Sequence, residues 1–137
     1  MKIVILDALT YGDTSLEKFN ELGEVVVYQT TTPEEVLKRI ENATVIVTNK
    51  VVITASMMDA TPSLKLICVA ATGMNNVDLE GAKERAISVK NVAGYSTDAV
   101  VQHTFSMLFY LISSCQFGIC VTLPTKAVLF NPTLITI

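Results

Sequence analysis

The sequence predicts a doubly wound α/β domain, with a flavodoxin-like parallel sheet of about five strands and helices on both of its faces. Short apolar runs alternate with segments of helical spacing over residues 1–114. The apolar runs are continuous rather than alternating, which is typical of strands covered on both faces. Strands that are separated by helices form right-handed crossovers, so the sheet is expected to be parallel and to belong to a single domain.

The first part of the chain predicts three strands and two helices. Residues 15–22 have helical spacing and are followed by Gly23, a stop signal. A second helix is predicted to start at Thr32, with Glu35 completing a capping box. The strands, of which the second is predicted to be buried, are residues 2–6, 24–28 and 44–48.

The following part continues the alternation. Thr54 begins a short helix that Pro62 closes, and another helix follows Asp78. The longest helix is predicted over residues 98–112, after a natural N-cap at Ser96 or Thr97. The two remaining strands are residues 64–70 and 87–92.

The loops that follow the strands are the places to look for a site, because ligands of such sheets bind outside the carboxyl ends of the strands. In the loop of residues 71–76, Gly73 allows a ligand to approach the backbone, and consecutive N–H groups could hold a small carboxylate. Alternatively, Gly73 only permits a tight turn. Lys50, after the third strand, could attract an anion or could be an ordinary solvated lysine. The candidate loops are residues 7–14, 49–53, 71–76 and 93–97.

Composition excludes several classes of protein. The net charge of −3 and the lack of a Lys/Arg cluster argue against nucleic-acid binding. The three cysteines have neither CxxC nor disulfide-framework spacing, which favours a reducing, cytoplasmic compartment. The chain contains no G-x-G-x-x-G, no P-loop motif and no metal-ligand spacing. His103, the one histidine, is interpreted as a packing residue of the long helix rather than a general base.

Two motifs in combination resemble those of the D-isomer-specific 2-hydroxyacid dehydrogenases. The first, TG-x-N-x-VDL, covers residues 72–79, and the second, N-x-x-x-YST-x-x-V-x-QHT, covers residues 91–104. The order of elements agrees over residues 1–114. The segments at Leu6–Ala8 and Leu22–Glu24 are similar to the glycerate dehydrogenase or hydroxypyruvate reductase branch.

The resemblance implies a role for each candidate residue. Members of this family use NAD and pass a hydride in a cleft between a substrate-binding domain and a Rossmann domain. The substrate carboxylate, from a small 2-hydroxy or 2-keto acid, would be held by backbone N–H groups of Ala71, Thr72, Gly73 and Met74, near Lys50. The nicotinamide side of the cleft would be lined by Ser96, Thr97 and Val100.

The resemblance also implies what this chain lacks. The family's catalytic Arg, Glu and His have no counterpart, so no catalytic residue is predicted and NAD is not expected to bind tightly. Residues 1–114 are predicted to form the substrate-binding domain, inactive alone, and residues 115–137 an apolar, divergent tail of a truncated or frame-shifted product. Ala86 stands where the family usually has glycine, which predicts a strained turn if φ is positive there.

Two alternatives stay open. The chain could be a non-enzymatic carboxylate-binding or protein-interaction domain, forming homo-oligomers or associating with a full-length relative. Residues 99–125 carry no formal charge, so a membrane-anchored domain is the second alternative. A buried helix followed by an irregular tail accounts better for this segment, because polar residues such as Gln102 and Gln116 dilute it.

Overall fold

The computed structural model describes residues 1–113, and the predicted tail at 115–137 lies outside the described residues. Within them, five parallel strands form one sheet in the order β2-β1-β3-β4-β5, which confirms the flavodoxin-like prediction. The strands are β1 (Lys2–Ile5), β2 (Glu24–Val27), β3 (Val45–Thr48), β4 (Leu66–Val69) and β5 (Ser88–Asn91).

Helices connect and follow the strands. Thr54 and Asp78 act as N-caps, because their side chains accept hydrogen bonds from the main-chain N–H groups of Met57 and Gly81. Arg85 ties the second and third helices together through a bidentate ion pair with Asp59, at 2.7 and 2.8 Å. The helices are α1 (Val36–Arg39), α2 (Ala55–Asp59), α3 (Leu79–Glu84) and α4 (Thr97–Ser113).

Two predicted helices differ from the structure. The segment at 15–22 forms a 3₁₀ helix over Glu17–Glu21 instead of an α-helix, and a second 3₁₀ helix, Ala8–Tyr11, lies in the loop after β1. The helix predicted from Thr32 begins later, at Val36. The Glu35 carboxylate does accept a hydrogen bond from the Thr32 N–H at 3.0 Å, but the backbone between them forms turns, so the capping contact closes a turn and not a helix.

The prediction that the second strand is buried is wrong. β2 lies at the edge of the sheet, and its residues Glu24 and Val27 are exposed. An edge strand has a neighbour on only one side, so a run of valines does not ensure burial there. β3, in contrast, lies at the centre of the sheet and is buried at all four positions.

The core has two parts, one on each face of the sheet. Alternate side chains of a strand point to opposite faces. One face therefore contributes Val4, Ile46 and Ile67 to a cluster that includes Val36 of α1 and Met58 of α2. The other face contributes the smaller cluster of Ile3, Ile5, Ala8, Val45 and Val47, against which Tyr11, Leu16 and Phe19 pack. This two-sided burial is the reason that the apolar runs are continuous.

The chain divides into two compact units, residues 1–95 and residues 96–137. The first unit contains the whole sheet. The described part of the second is α4, which exposes large apolar side chains, among them Phe105 and Phe109, whose ring centroids are 6.3 Å apart. No helix among residues 1–113 is long and apolar enough to cross a membrane.

Ala86, which stands where the resembling family usually has glycine, has a φ of 53°, in the left-handed region. It follows Arg85, the C-cap of α3, at the position where helices often place a glycine, and its N–H donates to the Lys83 carbonyl. We expect Ala86→Gly to raise the free energy of unfolding by about 1 kcal/mol, because the Cβ strain disappears. Urea denaturation measures this change.

Ala82, inside α3, is the matched control for this substitution. There, Ala82→Gly is expected to lower the free energy of unfolding by about 1 kcal/mol, because glycine disfavours a helix interior. A loss of stability in both variants would show that residue 86 does not suffer left-handed strain.

Candidate functional site

A cleft of about 200 Å³ lies at the carboxyl edge of the sheet, between the loops that follow β3 and β4. The structure therefore brings together three of the predicted substrate-binding residues, Lys50, Ala71 and Gly73. Lys50 is the one cationic side chain among the lining residues. The complete lining consists of Asn49, Lys50, Ala71, Gly73, Asn75 and Asn76.

The loop after β4 offers unused hydrogen-bond donors. Within the described residues, the main-chain N–H groups of residues 71–74 donate no hydrogen bond. The carbonyls of the same loop are bound: that of Ala71 accepts from the Val92 N–H at 3.1 Å, and that of Met74 accepts from the Val77 N–H at 3.0 Å. Its conformation is thus fixed while four consecutive donors remain available, as an anion site requires.

Two predicted residues, Thr72 and Met74, do not line the cleft. The Thr72 hydroxyl donates to the carbonyl of Val92 at 3.3 Å, and the Met74 side chain packs against the larger core cluster. Neither side chain lines the cleft. The Asn91 side chain further secures this loop by donating to the carbonyl of Thr72 at 2.6 Å.

Gly73 owes its position to space and not to backbone conformation. Its φ is not positive, unlike those of Gly12, Gly23 and Gly94, so the tight-turn alternative does not explain it. A Cβ added at Gly73 would lie 3.0 Å from the side-chain oxygen of Asn75. The missing side chain therefore keeps this wall of the cleft open.

The loop after β3 is held in a different way. The main-chain N–H of Asn49 donates to both carboxylate oxygens of Asp7, at 3.0 and 2.9 Å, and that of Lys50 donates to Asp7 Oδ2 at 2.6 Å. The Thr48 hydroxyl closes the turn by accepting from the Val51 N–H at 3.0 Å. The Lys50 side chain is exposed.

Asn76 connects the two loops. Its side-chain amide donates to the carbonyl of Val51 at 3.0 Å, and its own carbonyl accepts from the main-chain N–H of Ile53 at 2.8 Å. The two walls of the cleft are consequently joined by direct hydrogen bonds.

Two titratable groups that pack against the smaller core cluster, Tyr11 and Cys68, are poor nucleophiles. Burial and the nearby Asp7 carboxylate, which accepts a hydrogen bond from the Tyr11 hydroxyl at 3.3 Å, raise the pKa of Tyr11 far above its ordinary value. Burial also raises the pKa of the Cys68 thiol. Both groups are therefore protonated near neutral pH.

The predicted nicotinamide-side residues all belong to the second unit. Thr97 begins α4, the carbonyl of Ser96 accepts from the Val100 N–H at 2.9 Å, and the Val100 side chain is exposed. Their role in cofactor binding stays a prediction. His103 lies on the same helix with an exposed side chain.

Sequence reasoning pointed to the loops on both sides of the cleft but did not single out four of the residues that shape it. All four belong to loops that were already candidates, and three of them are asparagines. The fourth, Asp7, gave one available signal: a single acidic residue that directly follows a buried apolar run. The missed residues are Asp7, Asn49, Asn75 and Asn76.

Comparisons with known proteins give one consistent family. The family described as "D-isomer specific 2-hydroxyacid dehydrogenase, catalytic domain" matches residues 3–130, so the match extends past residue 114, where the resemblance was expected to end. The chain is 38% identical to a glycerate dehydrogenase of Methylorubrum extorquens over 111 residues, covering 80% of this chain and 35% of that protein. It is also 38% identical to a hydroxypyruvate reductase of Blautia hydrogenotrophica over 113 residues, covering 79% of this chain and 35% of that one.

A solved structure agrees with these sequence matches. The NAD-dependent formate dehydrogenase of Staphylococcus aureus, in complex with NAD, is 26% identical and superposes with a TM-score of 0.68. The alignment covers 86% of this chain and 39% of that one. The chain thus spans about a third of the length of the curated relatives that it matches.

Proposed function

Because this chain belongs to the D-isomer specific 2-hydroxyacid dehydrogenase family, we propose that its first unit binds the carboxylate of a small 2-hydroxy or 2-keto acid. The observation that carries the proposal is the run of unused N–H groups at residues 71–74, beside a cleft that Ala71, Gly73 and Lys50 line. Oriented N–H groups and one cation are the groups that a small carboxylate needs.

Each part of the cleft has a defined task in this proposal. The N–H groups of the loop donate to the carboxylate oxygens and so fix the orientation of the acid. Lys50 adds long-range attraction for an acid, because it is the one cationic residue lining the cleft and is exposed. Since Lys50 and Gly73 are exposed, we expect a dissociation constant of roughly a millimolar.

Hydride chemistry requires NAD, which supplies or accepts the hydride when it is bound. The glycines of this chain include no G-x-G-x-x-G, so these residues offer no fitting site for a dinucleotide pyrophosphate. We therefore propose that these 137 residues catalyse no hydride transfer by themselves. In a longer protein, Ser96, Thr97 and Val100 are proposed to line the nicotinamide side.

The test combines a binding and an activity measurement. We use oxamate, an unreactive amide isostere of a 2-keto acid, in an NMR titration of the ¹⁵N-labelled chain. The amides of residues 71–74 are expected to shift first, with saturation in the millimolar range, while NADH mixed with glyoxylate or hydroxypyruvate is not consumed. The absence of shifts at 71–74 would overturn carboxylate binding, and robust NADH oxidation would overturn the proposed inactivity.

A non-enzymatic interaction domain remains the second candidate, and α4 is the observation that favours it. Nine of its large apolar side chains are exposed, including Phe105 and Phe109. A helix that is apolar on all sides generally has partners. Light scattering coupled to size exclusion tests association through this helix, and a strict monomer would count against it. A strict monomer that also shows no oxamate-dependent shift would support neither candidate.

A further inference from the structure

The carboxylate of Asp7 is an unusual group to find at the end of β1. The side chain follows a run of buried apolar residues and is itself only 4% exposed. Burying a carboxylate is unfavourable unless hydrogen bonds replace its water. Here hydrogen bonds do replace the water: both oxygens accept from main-chain N–H groups of the loop after β3, and Oδ1 also accepts from the Tyr11 hydroxyl.

These bonds reach across the sheet and not along the chain. Asp7 lies two residues after β1, whereas Asn49 and Lys50 follow β3, the neighbouring strand, 42 and 43 residues further on. On the other side, the N–H groups of Ala8 and Leu9 donate to the carbonyls of Tyr28 and Gln29 after β2. Asp7 is therefore held in place by the segment that follows β2, and its carboxylate in turn holds the loop after β3.

The loops on the two sides of the cleft differ in whether their main-chain N–H groups have hydrogen-bond partners. After β4, the donors of residues 71–74 are unused, but after β3 the donors of Asn49 and Lys50 are occupied by Asp7. A carboxylate of the protein thus takes the place that an anionic ligand would take. An incoming acid is left with the donors of residues 71–74 and with the side chain of Lys50.

We infer that Asp7 is a positioning residue, whose carboxylate holds the Asn49–Lys50 loop in the conformation that presents the Lys50 side chain to the cleft. The inference rests on the proposed function for the identity of the ligand. The hydrogen bonds themselves do not depend on it. An amide replaces the carboxylate only in part. Its single oxygen can accept from Asn49 and Lys50, but its NH₂ group then stands where Oδ1 accepts from Asn49 and Tyr11, and the negative charge is lost.

Asp7→Asn is the principal variant, studied in the whole chain. We expect it to weaken oxamate binding about tenfold, since charge-assisted bonds to the loop are lost. Hydrogen exchange of the Asn49 and Lys50 amides is expected to accelerate at least about tenfold. The Ala70 amide, which donates to the Thr48 carbonyl at 2.8 Å, serves as an internal reference with unchanged exchange.

Two control variants separate positioning from general stability. Tyr11→Phe keeps the ring but removes the hydroxyl that donates to Asp7, and it is expected to leave both loop amides and oxamate affinity unchanged. Ile40→Val removes one methylene from a fully buried residue of the core, at the end of α1. It is expected to lower stability without changing the affinity of the folded chain.

A second variant covers the case in which Asp7→Asn does not fold. Asp7→Ala vacates the position of the carboxylate, which free formate is small enough to occupy. Formate is expected to slow exchange at Asn49 and Lys50 in Asp7→Ala, or to restore its folding, and to do neither in the wild type.

The outcomes distinguish the two proposals. If wild-type chain does not bind oxamate, the proposed function fails, and loop exchange alone decides the role of Asp7. The inference is overturned if Asp7→Asn leaves the exchange of both amides unchanged, or if it binds oxamate as tightly as the wild type. It is also overturned if Ile40→Val, at equal loss of stability, weakens binding to the same extent.

Discussion

Replacing Ile46 with alanine is expected to lower the free energy of unfolding by about 4 kcal/mol. Ile46 is completely buried in β3 and lies between Val4 and Ile67 of the neighbouring strands. Truncation leaves a cavity in the larger core cluster that the rigid sheet cannot close, and such buried changes cost about 2–5 kcal/mol. Since domains are stable by only about 5–15 kcal/mol, this variant is expected to be close to unfolding.

Urea denaturation followed by far-UV circular dichroism measures the loss. Leu37→Ala is the matched control, because Leu37 of α1 is 51% exposed and loses a similar side chain without leaving a cavity. Its cost is expected to stay below about 1 kcal/mol. Equal losses for the two variants would show that the Ile46 side chain is not packed in the larger core cluster.

Gly73→Val is expected to weaken oxamate binding by at least about tenfold, a loss of about 1.4 kcal/mol or more. The isopropyl group would occupy part of the 200 Å³ cleft and stand beside the N–H groups that are proposed to bind the acid. Stability is expected to change little, because the nearest obstacle to a Cβ is the end of the flexible Asn75 side chain. The NMR titration with oxamate measures the change.

Gly12→Ala provides the comparison for this variant. Gly12 has a φ of 59° and open space around it, so a methyl group there costs about 1–2 kcal/mol through left-handed strain alone. Its oxamate affinity is expected to match the wild type. If Gly73→Val also retained wild-type affinity, the acid would not bind at residues 71–74.

Burial on both faces made most of the fold readable from the sequence. β3 shows this well, since Val45, Ile46 and Val47 are all buried, with alternate residues on opposite faces. β2 has an equally apolar run, yet its exposure follows from its place at the edge, which depends on the order of all five strands. The local sequence pattern identifies the strand, whereas its place among the other strands determines whether it is buried.

The site was predictable at the level of loops only. The rule that ligands bind at carboxyl ends of parallel strands selects four loops, among them those after β3 and β4, and Gly73 marks one of them. The conformation that leaves the N–H groups of residues 71–74 unused is held by Val92, whose N–H donates to the Ala71 carbonyl, and the bond from Lys50 to Asp7 spans 43 residues. Such pairings arise from tertiary structure, and no local spacing encodes them.

The link that Asn76 makes between the two loops has a kinetic consequence. Since the walls are already joined and each is already held by hydrogen bonds, an arriving acid has no segment to order before it can dock. Association is then governed by diffusion and by the attraction of Lys50, as is usual for preformed recognition surfaces. The lifetime of the bound acid, and not the speed of its arrival, is therefore the quantity that a covering second domain would lengthen.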